Sequence, residues 1–165
     1  MVFEIIVIIL VVIVMSIVIN GIEDYHKQGD DVSMSFKEAM DLTELPVVTF
    51  YNGNIKLNFL LDTGSNKNTI NSAVLDSLNY RNIDEEGSPV IGFNGTASIA
   101  EFVEMDFTYK NRSYTSEFQV LDMQEAFFKV KAETGVQIHG ILGSLFFQEY
   151  EYVLDFESLI AYSKK

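Results

Sequence analysis

The chain has 165 residues, of which 24 are acidic and 11 basic, so its formal net charge is −13. This acidity argues against a nucleic-acid partner, because binding to the phosphate backbone depends on clustered Lys and Arg. The sequence contains no cysteine, which excludes thiol catalysis, disulfides and Cys-ligated metal centres.

The first predicted element is a membrane anchor at residues 5–22. This uncharged, Ile- and Val-rich run would be about 27 Å long as a helix, close to the ~30 Å of a bilayer's hydrocarbon core. A cleaved signal peptide is the alternative, but no Lys or Arg precedes the run and no Ala-x-Ala site follows it. The run therefore predicts a single-pass membrane protein held in the lipid bilayer. Lys27 and Lys37 only weakly favour a cytoplasmic side for the following domain, so the side stays open.

Residues 23–43 are predicted to be an acidic juxtamembrane spacer that includes one short helix. Ser35 and Glu38 have the spacing of a capping box, in which each residue caps the other's backbone N–H. This pair predicts a helix at residues 36–41 that ends before Pro46. The domain itself is expected to span residues 44–165.

After Pro46 the apolar pattern changes to that of β-strands. Residues 47–51 and 55–61 flank an Asn-Gly pair, which is typical of a tight hairpin turn. The remaining predicted elements are a second hairpin (102–109 and 114–121), helical segments (72–78 and 123–132) and two short C-terminal strands (152–156 and 159–162). The pattern predicts a mostly β, closed domain with short helices.

The sequence Phe-Leu-Leu-Asp-Thr-Gly-Ser at residues 59–65 places a carboxylate at the end of an apolar strand. Gly64 permits a sharp turn, and its N–H is free to donate to the Asp62 carboxylate. A carboxylate held in this way is suited to activating water. Hydrolysis of a peptide bond also needs an acid, and two aspartates that share one proton supply both groups.

The second aspartate is not evident in the sequence. Asp155 also follows apolar residues, but no glycine comes after it, so we interpret it as a turn residue at the end of a strand. The remaining solution is a two-fold axis that brings together two copies of Asp62.

The motif from Leu61 to Ser65 resembles the active-site signature of aspartic proteases, and residues 140–143, Gly-Ile-Leu-Gly, resemble the second signature of that clan. With one lobe per chain, residues 46–163 resemble the retropepsin-like (retroviral-type) aspartic proteases, which work as homodimers. Some bacterial relatives carry an N-terminal membrane segment, as this sequence is predicted to do. The ordered pair of motifs is more specific than Asp-Thr-Gly alone.

The resemblance implies a closed, acid-protease-like β-barrel and a role for each motif residue. Asp62 would be the catalytic acid and base, Thr63 would brace the two loops of the dimer, and Gly64 would lie close to an extended peptide substrate. No metal or organic cofactor is implied. The second signature would comprise Ile141, Leu142 and Gly143. A flap over the substrate would include Gly92, Phe93, Asn94 and Gly95, for which an ordinary hairpin turn is the alternative.

Two positions depart from the retroviral pattern. Ser65 stands where many retroviral enzymes have alanine, and Ser144 where an acidic or amide residue is frequent. A Ser65 hydroxyl that donates to Asp62 would stabilise the charged carboxylate, which predicts a more acidic pH preference than that of an alanine-bearing equivalent. Ser144 is expected to change only the hydrogen bonds behind the site.

Other candidate sites are weaker. His139 is expected to be a partly buried structural residue, and the only other histidine, His26, gives no metal-site spacing. The acidic residues 84–86 lack the pattern of a calcium loop. Two alternatives to an active protease stay open: a non-catalytic scaffold or peptide-binding domain on the same fold, and a zymogen whose residues 23–45 block the cleft.

Overall fold

The computed structural model describes residues 34–83, 89–91, 97–99 and 101–165. The predicted anchor at 5–22, residues 23–33 of the spacer and the flap residues 92–95 lie outside the described residues, as do His26 and residues 84–86. In the part of the chain that is described, no helix has the length and apolar character needed to cross a membrane.

The described elements are three α-helices, one 3₁₀ helix and eleven strands. The α-helices are α1 (Phe36–Thr43), α2 (Gln124–Thr134) and α3 (Ser144–Glu149), and the 3₁₀ helix is Ser72–Ser77. The strands are β1 (Val47–Asn52), β2 (Ile55–Leu61), β3 (Thr69–Asn71), β4 (Arg81–Ile83), β5 (Pro89–Ile91), β6 (Ala97–Ile99), β7 (Glu101–Tyr109), β8 (Arg112–Leu121), β9 (Gly140–Leu142), β10 (Tyr152–Asp155) and β11 (Ile160–Ser163).

Six of these strands close into a barrel. They are hydrogen-bonded in the order β1, β2, β9, β3, β8 and β7, and β7 returns to β1 where Thr108 pairs with Tyr51. β4 pairs with the first residues of β7, while β5 with β6 and β10 with β11 form separate two-stranded ribbons. The prediction of a mostly β, closed domain with short helices is confirmed.

The two predicted hairpins are confirmed, one with a different turn. β1 and β2 pair from Val47 with Leu60 to Asn52 with Ile55. β7 and β8 remain paired up to Tyr109 with Arg112, so the turn has only two residues instead of the predicted 110–113. The shorter turn is possible because Lys110 adopts a left-handed conformation with φ of 53°.

Helix α1 begins at the predicted capping box and runs two residues further than expected. Ser35 Oγ accepts from the Glu38 N–H, and the Glu38 carboxylate accepts from the Ser35 N–H at 2.8 Å. The second of these bonds is the main reason that the pKa of Glu38 is lowered. Phe36 and Ala39 are fully buried, so this part of the predicted spacer is packed onto the domain.

Aromatic side chains fill the barrel. Phe50 on β1 lies at the centre of this core, with ring centroids of its neighbours 5.2 to 6.4 Å away. These neighbours are Phe59, Phe107, Tyr109, Tyr114, Phe146 and Tyr152. A second apolar cluster joins α1 and α2 to the outer face of the barrel through Ala39, Phe127 and Ile141.

Tyr152 should limit the stability of this core, since its hydroxyl is buried and has no partner among the described residues. Burial also raises the pKa of Tyr152. The unfolded chain therefore loses the Tyr152 proton at a lower pH than the folded chain. The free energy of unfolding is unaffected below about pH 10, the pKa of an exposed tyrosine, and falls as the pH rises further. We expect Tyr152→Phe to stabilise the fold by about 1 kcal/mol at neutral pH and to reduce its sensitivity to alkali, measured by urea unfolding.

Tyr150→Phe is the matched control for that experiment. The Tyr150 hydroxyl donates to the Thr115 carbonyl at 2.6 Å and accepts from the Thr115 N–H at 2.9 Å. Removing it should destabilise the chain. If both variants shift the unfolding midpoint in the same direction, the buried Tyr152 hydroxyl does not destabilise the fold.

Candidate active site

Asp62 directly follows β2, and its main chain is held by the second sequence motif. β2 and β9 run parallel, with Leu61 beside Leu142. The Asp62 N–H donates to the Leu142 carbonyl at 3.0 Å. Leu61 and Leu142 are both buried in the core, so the backbone of Asp62 is held in a fixed position at the end of the barrel strands.

The turn after Asp62 positions the carboxylate itself. The Gly64 N–H donates to Asp62 Oδ1 at 2.8 Å, the bond that the sequence predicted. The Ser65 N–H closes the turn by donating to the Asp62 carbonyl at 3.2 Å. Asp62 is half-buried, whereas Thr63 and Gly64 are exposed. One edge of the carboxylate is thus bound to backbone, and the tip of the turn is open to another molecule.

Gly143 allows this loop to lie directly on the strand that carries the second motif. A Cβ at Gly143 would lie 2.4 Å from the Lys67 carbonyl oxygen and 2.8 Å from that of Ser65. The next residue, Ser144, donates its N–H to the same Ser65 carbonyl at 2.7 Å. The structure therefore brings together residues 62–65 and 141–143, which the sequence predicted to act as one site.

Asn68 completes this arrangement, and the sequence analysis did not identify it. Its side chain accepts from the Gly143 N–H at 2.9 Å and donates to the Glu117 carbonyl at 3.2 Å. It is only 5% exposed. The one available signal was an asparagine at the end of a polar loop, which is too common to single out.

Asn68→Ala is expected to destabilise the fold by about 2 kcal/mol, because the buried Gly143 N–H and the partly buried Glu117 carbonyl would each lose a partner. Urea unfolding measures the change. Asn66→Ala, an exposed position in the same loop, serves as the control and should change stability by less than about 0.5 kcal/mol. Equal effects of the two variants would contradict the anchoring role of Asn68.

The predicted hydrogen bond from the Ser65 hydroxyl to the Asp62 carboxylate is wrong. This hydroxyl donates to the Lys67 carbonyl at 2.7 Å, so its single proton is not directed to the Asp62 carboxylate. A Ser hydroxyl carries only one hydrogen, and the tight turn over residues 65–67 takes it. The expected acidic shift in pH preference therefore loses the interaction on which it depended.

Asp155 and His139 have the structural roles that the sequence indicated. Asp155 Oδ1 accepts from the N–H groups of Ser158 and Glu157, both at 2.9 Å, and the Ser158 N–H is the main reason that the pKa of Asp155 is lowered. His139 is half-buried, and its Nδ1 accepts from the Asn58 N–H at 3.0 Å. Neither side chain is directed by these bonds to the Asp62 turn.

The predicted flap is described only at its base. β5 and β6 form an antiparallel ribbon, with Pro89 beside Ile99 and Ile91 beside Ala97. The flap residues 92–95 that join them lie outside the described residues. The strands on either side of the predicted tip thus pair with each other as the arms of a hairpin do.

Comparisons with known proteins identify the family. The model of a family described as "Aspartyl protease" matches residues 47–146. The sequence matches none of the curated proteins. Among solved structures, the retroviral protease-like domain of Ddi1 from Leishmania major is similar over 73% of this chain and 86% of that chain, with 9% identity and a TM-score of 0.50.

Two further solved structures are similar to the chain. The EIAV protease, solved with an inhibitor, has 22% identity over 70% of this chain and 97% of its own, with a TM-score of 0.49. A retropepsin-like aspartic protease from Rickettsia conorii has 13% identity over 66% of this chain and 75% of its own, with a TM-score of 0.41. The family match covers more than half of the sequence and includes both motifs, so the chain belongs to the aspartyl protease family and has a retropepsin-like fold.

Proposed function

We propose that the chain is an aspartic endopeptidase that acts as a homodimer. The supporting observation is the Asp62 turn, in which one carboxylate oxygen is held by the Gly64 N–H at 2.8 Å while the tip of the turn is exposed. Asp155, the candidate that the sequence offered within the chain, is already bound within its own turn. A second copy of Asp62 is thus the best source of the second carboxylate.

Two facing Asp62 groups would divide the chemistry between them. Two carboxylates at close range share a single proton, because their mutual repulsion opposes full ionisation. The ionised Asp62 would take a proton from the attacking water, and the protonated Asp62 would give its proton to the carbonyl oxygen of the peptide. Collapse of the tetrahedral intermediate then breaks the C–N bond as a proton reaches the leaving nitrogen. The exposed Thr63 would contact the partner's loop.

The proposed substrate is an extended peptide or protein segment. It would lie between the Asp62 turn and the β5–β6 ribbon, held by main-chain hydrogen bonds of the kind made by an added strand. Closure of residues 92–95 over the peptide would exclude water other than the attacking molecule. The reaction would need no metal or organic cofactor.

We also propose that residues 5–22 anchor the chain in a membrane and that residues before Met34 connect this anchor to the domain. Confinement to a membrane would raise the local concentration of the chains and favour their pairing. Extraction of cell membranes with alkaline carbonate tests the anchor. The chain should stay in the membrane pellet, and a variant without residues 5–22 should not; release of both would contradict the proposal.

The activity itself is tested by cleavage of a diverse peptide library by the 165-residue chain in detergent, from pH 3 to 8. Over the range in which the chain passes from monomer to dimer, the rate should rise more than in proportion to protein concentration. Proportional rates down to concentrations at which the chain is monomeric would contradict the dimeric site. A chain that stays monomeric and cleaves no peptide would favour the non-catalytic binding domain, and a dimer that cleaves none would favour a latent form or a narrow substrate range.

A further inference from the structure

The β7–β8 turn lies at the end of the barrel opposite to the Asp62 turn. The first residue of β1 pairs with Leu60, next to the Asp62 turn, whereas Tyr51 near the other end of β1 pairs with Thr108. β7 ends directly after this pair, at Tyr109, and turns back into β8. Features of the β7–β8 turn therefore belong to a surface separate from the candidate active site.

Two adjoining cavities lie between this turn and the C-terminal strand β11. Their volumes are about 350 and 460 Å³, and both are lined by Arg112, Tyr114 and Ser163. Lys110 lines the first cavity and Lys165 lines the second. Because the two cavities share a wall, they form one groove with positive side chains along its length, here called the basic groove.

Arg112 is the central cation of the basic groove. Its Nη1 donates to Ser163 Oγ at 3.4 Å. Burial raises the pKa of the Tyr114 hydroxyl, and the positive charge of the nearby Arg112 partly offsets that rise. Arg112 is exposed and forms no ion pair with a carboxylate of residues 34–83 or 101–165. Most of its N–H donors are therefore available to a ligand.

The charge balance of the basic groove is opposite to that of the chain. Acidic residues outnumber basic ones by 24 to 11 in the sequence, but the groove is lined by three basic side chains and one acidic side chain, Glu149. The Lys165 Nζ donates to the Glu149 carbonyl at 2.6 Å. The Lys110 Nζ lies 5.0 Å from the centroid of the Tyr109 ring. The groove thus offers an anion a positive surface on an otherwise acidic protein.

The strand that leads to the acidic residues 84–86 lies at the other end of β7. Its last residue, Ile83, pairs with Phe102. Phe102 precedes Tyr109 by seven residues, which corresponds to about 23 Å along an extended strand. The basic groove and this acidic segment therefore begin from opposite ends of the sheet.

The side chains beside the basic groove resemble those of a membrane interface. Tyr162 on β11 lines the groove and is 42% exposed, and Ile160, two residues before it on the same face of the strand, is 47% exposed. Tyrosine is enriched where proteins meet lipid head groups, and Lys and Arg extend their charged ends to the same level. This combination favours an anionic lipid surface over a soluble anion.

The position of the first described residues allows this surface to reach a membrane. Phe36 at the start of α1 contacts Phe156, with ring centroids 5.5 Å apart, and Phe156 belongs to the turn between β10 and β11. The chain thus enters the domain near the ribbon that borders the basic groove. Residues 23–33, between the proposed anchor and Met34, could span about 36 Å if extended.

We infer that the basic groove is a docking surface for the anionic head groups of a membrane. The inference builds on the proposed membrane anchor and assigns the face of the domain that meets the lipid. Arg112 would bind a head-group phosphate through two parallel N–H donors, and Lys110 and Lys165 would add attraction to the negative surface. The Asp62 turn, at the opposite end of the barrel, would then face the aqueous phase.

The test uses one fluorescent label at each end of the barrel, since the chain has no cysteine of its own. Asn111→Cys carries the label at the exposed β7–β8 turn, and Asn66→Cys carries it on the exposed loop near Asp62. Each 165-residue chain is reconstituted into vesicles of phosphatidylcholine, with or without about one-third phosphatidylglycerol. A head-group quencher is included in every vesicle. The label at position 111 should be quenched at least about twofold more in anionic vesicles, and the label at position 66 should be quenched little in either.

Charge variants identify the residues responsible. Lys110→Gln with Arg112→Gln should reduce quenching of the label at position 111 to the level of neutral vesicles. Lys129→Gln with Lys131→Gln removes the same charge from α2 and should retain the wild-type quenching. High salt should reduce the difference between the two vesicle types. Equal quenching in both vesicle types, unchanged quenching in the groove variant or equal quenching of the two labels would overturn the inference.

Flotation of the unlabelled chain separates this inference from the proposed anchor. A chain that floats with neutral vesicles has an inserted anchor, and the quenching results then decide the role of the groove. If the chain does not float with neutral vesicles, flotation with anionic vesicles tests the groove alone. Binding should then weaken about fivefold for each groove charge removed and should persist in the α2 variant. A chain that floats with neither kind of vesicle would contradict both proposals.

Discussion

Asp62→Asn is expected to abolish peptide cleavage, with a loss of at least a thousandfold in kcat. The amide can neither accept the proton of the attacking water nor share a proton with a facing carboxylate. It does retain an oxygen that can accept the Gly64 N–H, a bond of 2.8 Å in the native turn. The variant should therefore fold and dimerise like wild type, which circular dichroism and sedimentation can verify.

Mixing wild-type and Asp62→Asn chains tests more directly whether each active site needs two copies of Asp62. If each active site needs two Asp62 residues, a chain that pairs with an Asp62→Asn partner contributes nothing. At concentrations where all chains are dimeric and exchange freely, an equal amount of variant should reduce wild-type activity to about half, and a threefold excess to about a quarter. Activity that stays constant as variant is added would show that one chain suffices.

Gly143→Ala should severely damage the structure of the site. The added Cβ would lie 2.4 Å from the Lys67 carbonyl oxygen and 2.8 Å from the Lys67 carbonyl carbon and from the Ser65 oxygen. These are backbone atoms, which cannot turn away as the end of a flexible side chain can. We expect a loss of about 3 kcal/mol or more in the free energy of unfolding, together with loss of cleavage. The midpoint of urea unfolding measures the first effect.

Gly64→Ala is the matched control, because it adds the same methyl group to the same site. Its Cβ would lie 3.1 Å from Asp62 Oδ1, and Gly64 is exposed. The fold should be affected by less than about 1 kcal/mol, whereas cleavage should fall since the carboxylate must move. A Gly143→Ala chain as stable as wild type would mean that the loop can rise from β9 at little cost.

The local signals in the sequence predicted much of this fold. Asn-Gly and the strand-like runs on either side of it placed the β1–β2 hairpin within one residue, and Ser35 with Glu38 placed the start of α1. Both signals act between neighbours in the chain, so they can be read without knowing the tertiary structure. The Asp62 turn was predicted for the same reason, including the bond from the Gly64 N–H.

The elements that the sequence did not reveal depend on distant partners. β3 has only three residues and is held by parallel pairing with β8 and antiparallel pairing with β9. α3 has six residues and no side-chain cap; it is fixed by the burial of Phe146 in the aromatic core. The contact of Asn68 with Gly143 and that of Lys67 with Phe102 likewise join residues far apart in sequence, and no local pattern encodes them.

The hydrogen bond from Asp62 to Leu142 also bears on when the site can form. Its two residues are separated by nearly half of the chain, and contacts of such long range form late because a large loop must close first. A nascent chain on the ribosome would have released Asp62 long before Leu142 emerged. Until β9 takes its place beside β2, the Asp62 turn lacks its support. The order of synthesis itself would then delay completion of the candidate site until most of the domain has left the ribosome.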